Sequence, residues 1–347
     1  MKDFELATGH WMPMLGMGTW PLKGEACKQA VTEAVELGYT HFDTAWNYQN
    51  HQEVGEGLRD SGVDREELFI TSKVAKSSLH YDGVLEQGGG SLRDLQVDYL
   101  DLLLIHWPNE AIPLEETFRA LAHLQDEGKV RSVGVSNFTV RLLEEAVAVS
   151  KVPICVNQIK YHPGEEKRDV LAWCTEHGVA VTAYSPLGKG GILTAPALEE
   201  AAALQGKTSA QVSLRWLVQQ GIIVIPKAGS KAHLKENMDV FGWSLSIEEM
   251  ERIGAMSGEN RQLDTFDDLL HLSDKEIQTT LREVEMGTLA VALLGASEAV
   301  CNRMFSNVSD RVKTMIRDSM AESEGTAEKE IADTQTAILQ IARTKME

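Results

Sequence analysis

The sequence is short of cysteine, of positive charge and of long apolar runs. Its four cysteines, Cys27, Cys155, Cys174 and Cys301, form no C-x-x-C pair and stand at no zinc-like interval from a histidine. A disulfide framework requires a denser pattern in a shorter chain, so buried free thiols in a reducing compartment are expected, with no metal site. Lys and Arg number 33 against 52 Asp and Glu, a formal net charge of −19. A surface of that sign disfavours nucleic acid as a partner, because phosphate binding needs a basic face. The most apolar run, TLAVALLGA (288–296), is far below the ~18–20 residues of a membrane span. MKDFELATGH (1–10) carries acids and no apolar core, so it does not read as a signal peptide, and a cytoplasmic location is expected. No G-x-G-x-x-G follows the first strand-like run, which disfavours a doubly wound dinucleotide site.

What is present is an alternation. The 347 residues, 43% hydrophobic and 24% charged, suffice for one large barrel or for two domains. Residues 3–13 read as a hairpin, FEL and WMP around a turn at Gly9, and MLGMGTW (14–20) reads as a strand. Helix-like segments near 25–37, 51–60, 82–96, 114–127, 139–149, 167–177 and 208–220 then alternate with HFDTA, LFITSKV, DLLLIHW, SVGVSN, CVNQIKY, AVTAYSP and GIIVIPK. Short strands separated by longer helical patterns predict βαβ units and a parallel sheet; eight such strands fit a (β/α)8 barrel. One segment is discordant. GVLEQGGGSLRDL (83–95) should be the third helix yet carries Gly88, Gly89 and Gly90. Each glycine costs about 1 kcal/mol against alanine inside a helix, so a frayed or distorted helix is expected. The triplet lies mid-helix and not after a strand, so it does not read as a phosphate loop.

In a barrel of this kind the site lies at the C-terminal ends of the strands. Four polar residues fall there: Asp43 and Tyr48 in DTAWNYQN (43–50), Lys73 in FITSKV and His106 in DLLLIHWP. Together they form a proton-transfer constellation. Tyrosine ionises near pH ~10; a neighbouring ammonium favours the phenolate and lowers that value, and a carboxylate would hold the ammonium in place.

DTAWNYQN, TSKV, LIHWP, GVSNF, NQIKYHP, AYSPLG and IPK, in this order across residues 4–262, strongly resemble the aldo-keto reductases, and among them the bacterial enzymes of 2,5-diketogluconate type. The resemblance implies an N-terminal β-hairpin closing a TIM barrel (residues 1–262). It implies reduction of a small aldehyde or ketone by a nicotinamide cofactor, without metal. Tyr48 would be the general acid, tuned by Lys73 and Asp43, with His106 polarising the substrate oxygen. Trp20, Trp46 and Trp107 would wall the substrate pocket. Ser136, Asn137 and Gln158 would hold the carboxamide, with Tyr184 stacked on the nicotinamide ring. Ser185, Leu187 and Gly188 in SPLGKGG would lie near the pyrophosphate. In IPKAGSKAHLKEN (225–237), Lys227 and His233 would sit at the 2′-phosphate of NADPH, and Glu236 and Asn237 at the adenine. Two positions depart from the pattern. The family commonly has serine and arginine where this chain has Ala228 and His233. Neutral histidine lacks the permanent charge and fork of arginine. NADPH is therefore expected, with NADH usable in its place unless Lys231 compensates.

The composition shifts after GENRQLD (258–264). Residues 262–347 hold 16 Asp and Glu against 9 Lys and Arg, a net of −7. LSDKEIQTTLREV, LAVALLGAS, FSNVSDR and MIRDSM resemble the C-terminal domain of the flagellar motor switch protein FliG, and ADTQTAILQIAR (332–343) resembles its last helix. Apolar residues at helical spacing (Leu269, Leu270, Leu272; Ile277, Leu281, Val284) and helix-start residues at Asp274 and Ser297 agree with a small all-α domain over 263–347. Arg311 and Asp318 match two charges of that family's torque ridge. Ser319, Leu294 and Ala327 stand where an acid and two basic residues are expected, which argues against a rotor role. A protein partner held by the helical tail is one expectation and a passive retained fold the other. The reductase reading therefore stands beside an alternative, a cofactor-binding scaffold whose output is the tail.

Overall fold

The alternation of strands and helices becomes a closed barrel in the computed structural model, which describes residues 2–256, 263, 265–272, 274–323 and 325–344. The chain divides into two units, Met1–Gly254 and Ala255–Glu347. The boundary expected at 262 falls on a residue outside those described.

In the first unit, β1 (Asp3–Glu5) and β2 (Trp11–Pro13) form the antiparallel hairpin around Gly9. Eight parallel strands follow: β3 (Met17–Gly18), β4 (His41–Asp43), β5 (Phe69–Val74), β6 (Leu100–Ile105), β7 (Val130–Ser136), β8 (Ile154–Lys160), β9 (Ala180–Tyr184) and β10 (Ile223–Val224). Every residue of β5 and β6 is buried, as expected of strands covered on one side by helices and on the other by the barrel interior. Leu15 pairs with Val224, and the Gly16 amide donates to the Val224 carbonyl at 2.9 Å, which closes the barrel.

The helices are α1 (Gly24–Glu36), α2 (His51–Asp60), α3 (Tyr81–Leu95), α4 (Leu114–Asp126), α5 (Val140–Val149), α6 (Arg168–Glu176), α7 (Pro196–Gln205), α8 (Ser209–Gln219), α9 (Lys231–Met238) and α10 (Ile247–Ala255). Seven lie within two residues of the expected segments; α7, α9 and α10 were not anticipated. Low on the barrel, Asp101 accepts from Arg65 at 2.6 Å and Arg131 at 3.1 Å. Both guanidinium groups stand over the Tyr99 ring, 3.9 and 3.8 Å from its centroid.

The expectation of a frayed third helix is corrected. α3 runs unbroken through Gly88, Gly89 and Gly90. A Cβ on Gly88 would lie 2.7 Å from Leu124 of α4, and one on Gly90 would lie 2.5 Å from the Trp46 ring, whereas Gly89 faces open space. Close packing on both sides of the triplet offsets the poor intrinsic propensity. Gly89→Ala should therefore raise stability by about 0.5–1 kcal/mol. Gly90→Ala should lower it, because an aromatic ring blocks the added methyl. Opposite shifts of Tm in a thermal melt would check the pair.

In the second unit, a 3₁₀ segment (Phe266–His271) leads into α11 (Asp274–Leu281), α12 (Met286–Leu294), α13 (Glu298–Ser306), α14 (Asp310–Glu322) and α15 (Glu328–Arg343). Its own core includes Leu269, Ile277, Leu289, Leu293, Val300, Ile316, Ile338 and Leu339. Ser297 caps α13 by accepting from the Val300 amide at 3.4 Å, and Asp274 opens α11. Arg311 and Asp318 are exposed on α14.

Candidate active site

The C-terminal ends of the barrel strands converge on a cavity of about 800 Å³. Strand register brings its polar groups together. Asp43 is the last residue of β4, Lys73 the penultimate residue of β5, and His106 follows β6 directly. Tyr48 ends a 3₁₀ turn, Trp46–Tyr48, after β4. The Lys73 ammonium is fully enclosed. It donates to Asp43 Oδ1 at 2.5 Å, to the Thr44 carbonyl at 2.9 Å and to the Tyr48 hydroxyl at 3.4 Å. The Tyr48 and His106 rings meet edge-on with centroids 5.6 Å apart.

The loop carrying Tyr48 is held by a residue that the motif reading left without a role. Asn50 is fully buried. Its amide donates to the Leu22 carbonyl at 3.0 Å and to Thr19 Oγ1 at 3.2 Å, and its Oδ1 accepts from Thr44 Oγ1 at 2.7 Å. Loops after β3 and β4 are thereby tied together two residues from the phenol. The sequence showed Asn50 only as the last residue of DTAWNYQN; its burial, which obliges a polar side chain to find partners, is seen only in the structure.

The electrostatics amend the expectation for Tyr48. Burial pushes its phenol up, and the pull of the Lys73 charge in the other direction is too weak to reverse it. Tyr48 is thus a neutral phenol with a proton to give. Lys73 is penalised by burial, yet the charge and hydrogen bond of Asp43 and the contact with Tyr48 leave its pKa above the usual lysine value, so it stays charged. Burial, with help from the Lys73 charge, lowers His106 to about 4. Its imidazole is neutral at neutral pH, and its buried Nδ1 has no hydrogen-bond partner among the described residues.

Asp43 also reaches across the barrel. Its Oδ2 accepts from Gln158 Nε2 at 2.8 Å. Ser136 donates to the Gln158 main-chain carbonyl at 2.8 Å, and Asn137 Nδ2 donates to the His106 carbonyl at 3.2 Å. The Tyr184 hydroxyl donates to Asn137 Oδ1 at 2.9 Å. Asn137 holds a left-handed backbone, φ 63°, as does Ser185, φ 50°. Such conformations are costly for non-glycine residues and cluster at functional sites. One carboxylate therefore links the Lys73–Tyr48 pair to the amide group.

Of the remaining expected residues, Trp20, Trp107, Ser185, Leu187 and Lys227 line the same cavity, and Gly188 lies in the loop between Leu187 and the lining residue Lys189. Asn47, Pro186, Lys189, Ile225 and Pro226 line it as well, and sequence reasoning did not single them out. Two sets of expected residues fall outside this lining. Trp46 packs its indole on Gly90 and stands 6.1 Å from His51. His233, Glu236 and Asn237 lie on α9 outside the lining: His233 is exposed, Glu236 accepts from the Thr208 hydroxyl, and Asn237 is buried. Lys231 is paired with Glu36 at 2.6 Å. Among the described residues no cluster of His, Cys, Asp or Glu is arranged for a metal ion, and no helix is long and apolar enough to cross a membrane.

The donor set suits a nicotinamide dinucleotide. Amides and a hydroxyl surround the middle of the cavity, the Tyr184 ring offers a flat face, and Lys227 supplies a cation.

Comparison with known proteins agrees with this geometry. Residues 6–257 match the model of the aldo/keto reductase family, and residues 255–347 match that of the FliG C-terminal domain. Glyoxal reductase of Bacillus subtilis is 40% identical over 272 residues, covering 78% of this chain and 98% of the relative. The solved aldose reductase of Schistosoma japonicum superposes with a TM-score of 0.73 at 32% identity, covering 79% of this chain and 97% of the other. A solved putative 2,5-diketo-D-gluconic acid reductase B gives a TM-score of 0.71 at 38% identity, covering 74% and 91%.

Proposed function

The chain belongs to the aldo/keto reductase family across residues 6–257, and from that premise we propose that it reduces aldehydes or ketones to alcohols with NAD(P)H, Tyr48 acting as general acid. The observation that carries this reading is the Tyr48 hydroxyl, 3.4 Å from a buried ammonium and opening on the cavity that Ser136, Asn137, Gln158 and Tyr184 share.

The bound cofactor would supply a hydride to the carbonyl carbon. Every other element belongs to the chain. Negative charge develops on the substrate oxygen, and Tyr48, still protonated, gives up its proton to it. Lys73 stabilises the phenolate left behind, because a cation next to a buried anion is worth far more than in water. Asp43 fixes the ammonium; neutral His106 offers a hydrogen bond that orients the carbonyl. Ser136, Asn137 and Gln158 would hold the carboxamide, Tyr184 would stack on the ring, Ser185, Leu187 and Gly188 would follow the pyrophosphate, and Lys227 would meet the adenosine phosphate. Trp20, Asn47 and Trp107 give the substrate end an aromatic wall with one amide, which suits a small neutral carbonyl compound. The relative named as a glyoxal reductase points the same way.

The helical unit fits an interaction surface better than a torque element, since Arg311 and Asp318 are exposed while Leu294, Ser319 and Ala327 carry no charge. A cytoplasmic enzyme is the accompanying reading. The test is the initial rate of NADPH and of NADH oxidation, in parallel, with a reactive small aldehyde. Turnover with either cofactor is expected. Dinucleotide binding without turnover across a panel of aldehydes and ketones would sink the enzymatic reading and favour the scaffold.

A further inference from the structure

One face of α3 backs the loops that carry Tyr48 and Lys73. Gln87, Gly90 and Ser91 follow at helical spacing and are all buried. Gln87 Oε1 accepts from the Ala75 amide at 2.8 Å, and its Nε2 donates to Ser78 Oγ at 2.8 Å. Ser91 Oγ lies 3.3 Å from Ser72 Oγ, which lies 2.9 Å from His51 Nε2. Ser72 and Ala75 flank Lys73 in the chain. Gly90 supplies the remaining contact, because the place of its missing side chain is the seat of the Trp46 indole.

Trp46 opens the 3₁₀ turn that Tyr48 closes, with only Asn47 between them. The turn is tied by the Tyr48 amide, which donates to the Ala45 carbonyl at 3.0 Å, and by the Gln49 amide, which donates to the Trp46 carbonyl at 3.2 Å. A displaced indole therefore carries the backbone of the phenol with it. The indole has little room. A Cβ on Gly90 would lie 2.5 Å from its Cζ3 and 2.7 Å from its Cη2. The His51 ring stands near it, centroids 6.1 Å apart. Burial, then the Lys73 charge, lowers His51 to about 4, so this ring is a neutral packing surface and not a second cation beside Lys73. Carbon contacts settle near ~3.5–4.0 Å, so a methyl at position 90 would push the indole back by about 1 Å. A misplacement of about 1 Å at a reacting group can cost about 10²-fold in rate.

We propose that Gly90 and Trp46 are positioning residues for the general acid: the notch that Gly90 leaves in α3 seats the indole, and the seated indole sets where the Tyr48 hydroxyl stands in the cavity. This rests on reading Tyr48 as the proton donor. It separates the three glycines by role, since Gly88 meets Leu124 of α4, Gly89 meets nothing, and Gly90 alone reaches the turn that bears the acid.

The test is steady-state kinetics on the full chain with a reactive small aldehyde, well below the Tm of every variant, beside direct binding of NADPH read by its fluorescence. Gly90→Ala should lower kcat about 10- to 100-fold and leave the Kd of NADPH within about twofold. Gly89→Ala should match wild type. Trp46→Phe vacates the contact without adding a clash and should lower kcat about three- to tenfold. Joined to Gly90→Ala, it should bring kcat back to within about threefold of wild type, because the methyl enters the space the larger ring has left; coupling of this kind marks residues in contact. A Gly90→Ala loss of less than about threefold, a loss matched by equally weakened NADPH binding, or a double variant no better than Gly90→Ala would each overturn the proposal. Should Gly90→Ala not fold, an unchanged kcat in Trp46→Phe would overturn it. Tyr48→Phe tests the premise: full turnover there removes the acid assignment and the proposal with it, whereas a crippled Tyr48→Phe beside an unimpaired Gly90→Ala refutes the positioning role alone.

Discussion

Tyr48→Phe should lower kcat/KM for a small aldehyde by about 10²–10⁴, the usual worth of a positioned general acid, while the dissociation constant of the dinucleotide stays unchanged. The substitution deletes one hydroxyl, and among the described residues that hydroxyl accepts a single hydrogen bond, from Lys73 at 3.4 Å. The ring stays against His106 and beneath the ammonium, 4.9 Å from the ring centroid. Fold and cofactor end are thus spared, and the loss is confined to proton delivery. Steady-state kinetics beside direct binding measurements separate the two. A variant retaining more than about a tenth of wild-type turnover would remove Tyr48 from the acid role, since even a modest general acid is worth more. The pH profile carries a companion signature. His106, lowered from 6.5 to about 4, changes charge only as the pH falls towards 4. Activity between pH 8 and 6 should therefore show no inflection from this imidazole.

Lys73→Met should be damaging in two ways at once. Asp43 is 2% exposed; without the ammonium it becomes a buried carboxylate whose remaining side-chain hydrogen bond among the described residues is from Gln158. Breaking one side of a buried pair typically costs 3–5 kcal/mol, and at about 2–4 °C per kcal/mol for a domain of this size Tm should fall by roughly 6–20 °C. The sign with pH follows from the raised Lys73 value: the pair's contribution is complete below the normal lysine pKa and is lost only as pH rises through the higher folded one. The wild-type advantage over Lys73→Met should therefore persist through neutral and mildly alkaline pH. Removing both charges, with Asp43→Asn added, should recover part of the lost Tm, because an unpaired buried charge costs more than a neutral pair. Activity should not return with it. Recovery of activity in the thermally rescued double variant would mean that Lys73 serves only to satisfy Asp43.

Much of the barrel was legible because strands buried on both faces leave near-continuous apolar runs and the helices between them repeat at 3.6 residues. The ends of those strands were legible for the same reason: Asp43, Lys73 and His106 interrupt apolar runs where a core strand has no use for charge. What stayed hidden depends on the partner of a side chain. Gly88 and Gly90 read as helix breakers until Leu124 and Trp46 are placed against them. Trp46 read as pocket wall for the complementary reason, since composition cannot say which way an indole turns. The upward shift of Tyr48 was missed because a nearby lysine is visible in a motif and the depth of burial is not. α7, α9 and α10 escaped notice because the reading followed the strand–helix alternation, and these helices fall outside its regular beat.

Asp43 has one oxygen on Lys73 and the other on Gln158, and this has a consequence for anyone redesigning the enzyme. The Lys73–Tyr48 pair and the amide cluster are not separate modules; they share a keystone, and neither can be re-engineered without disturbing the other. Trp20, Asn47 and Trp107 are different. They line the cavity and make no hydrogen bond among the described residues. New substrates are best sought by diversifying those three positions, where the scaffold is evolvable, with the carboxylate and both of its partners left untouched.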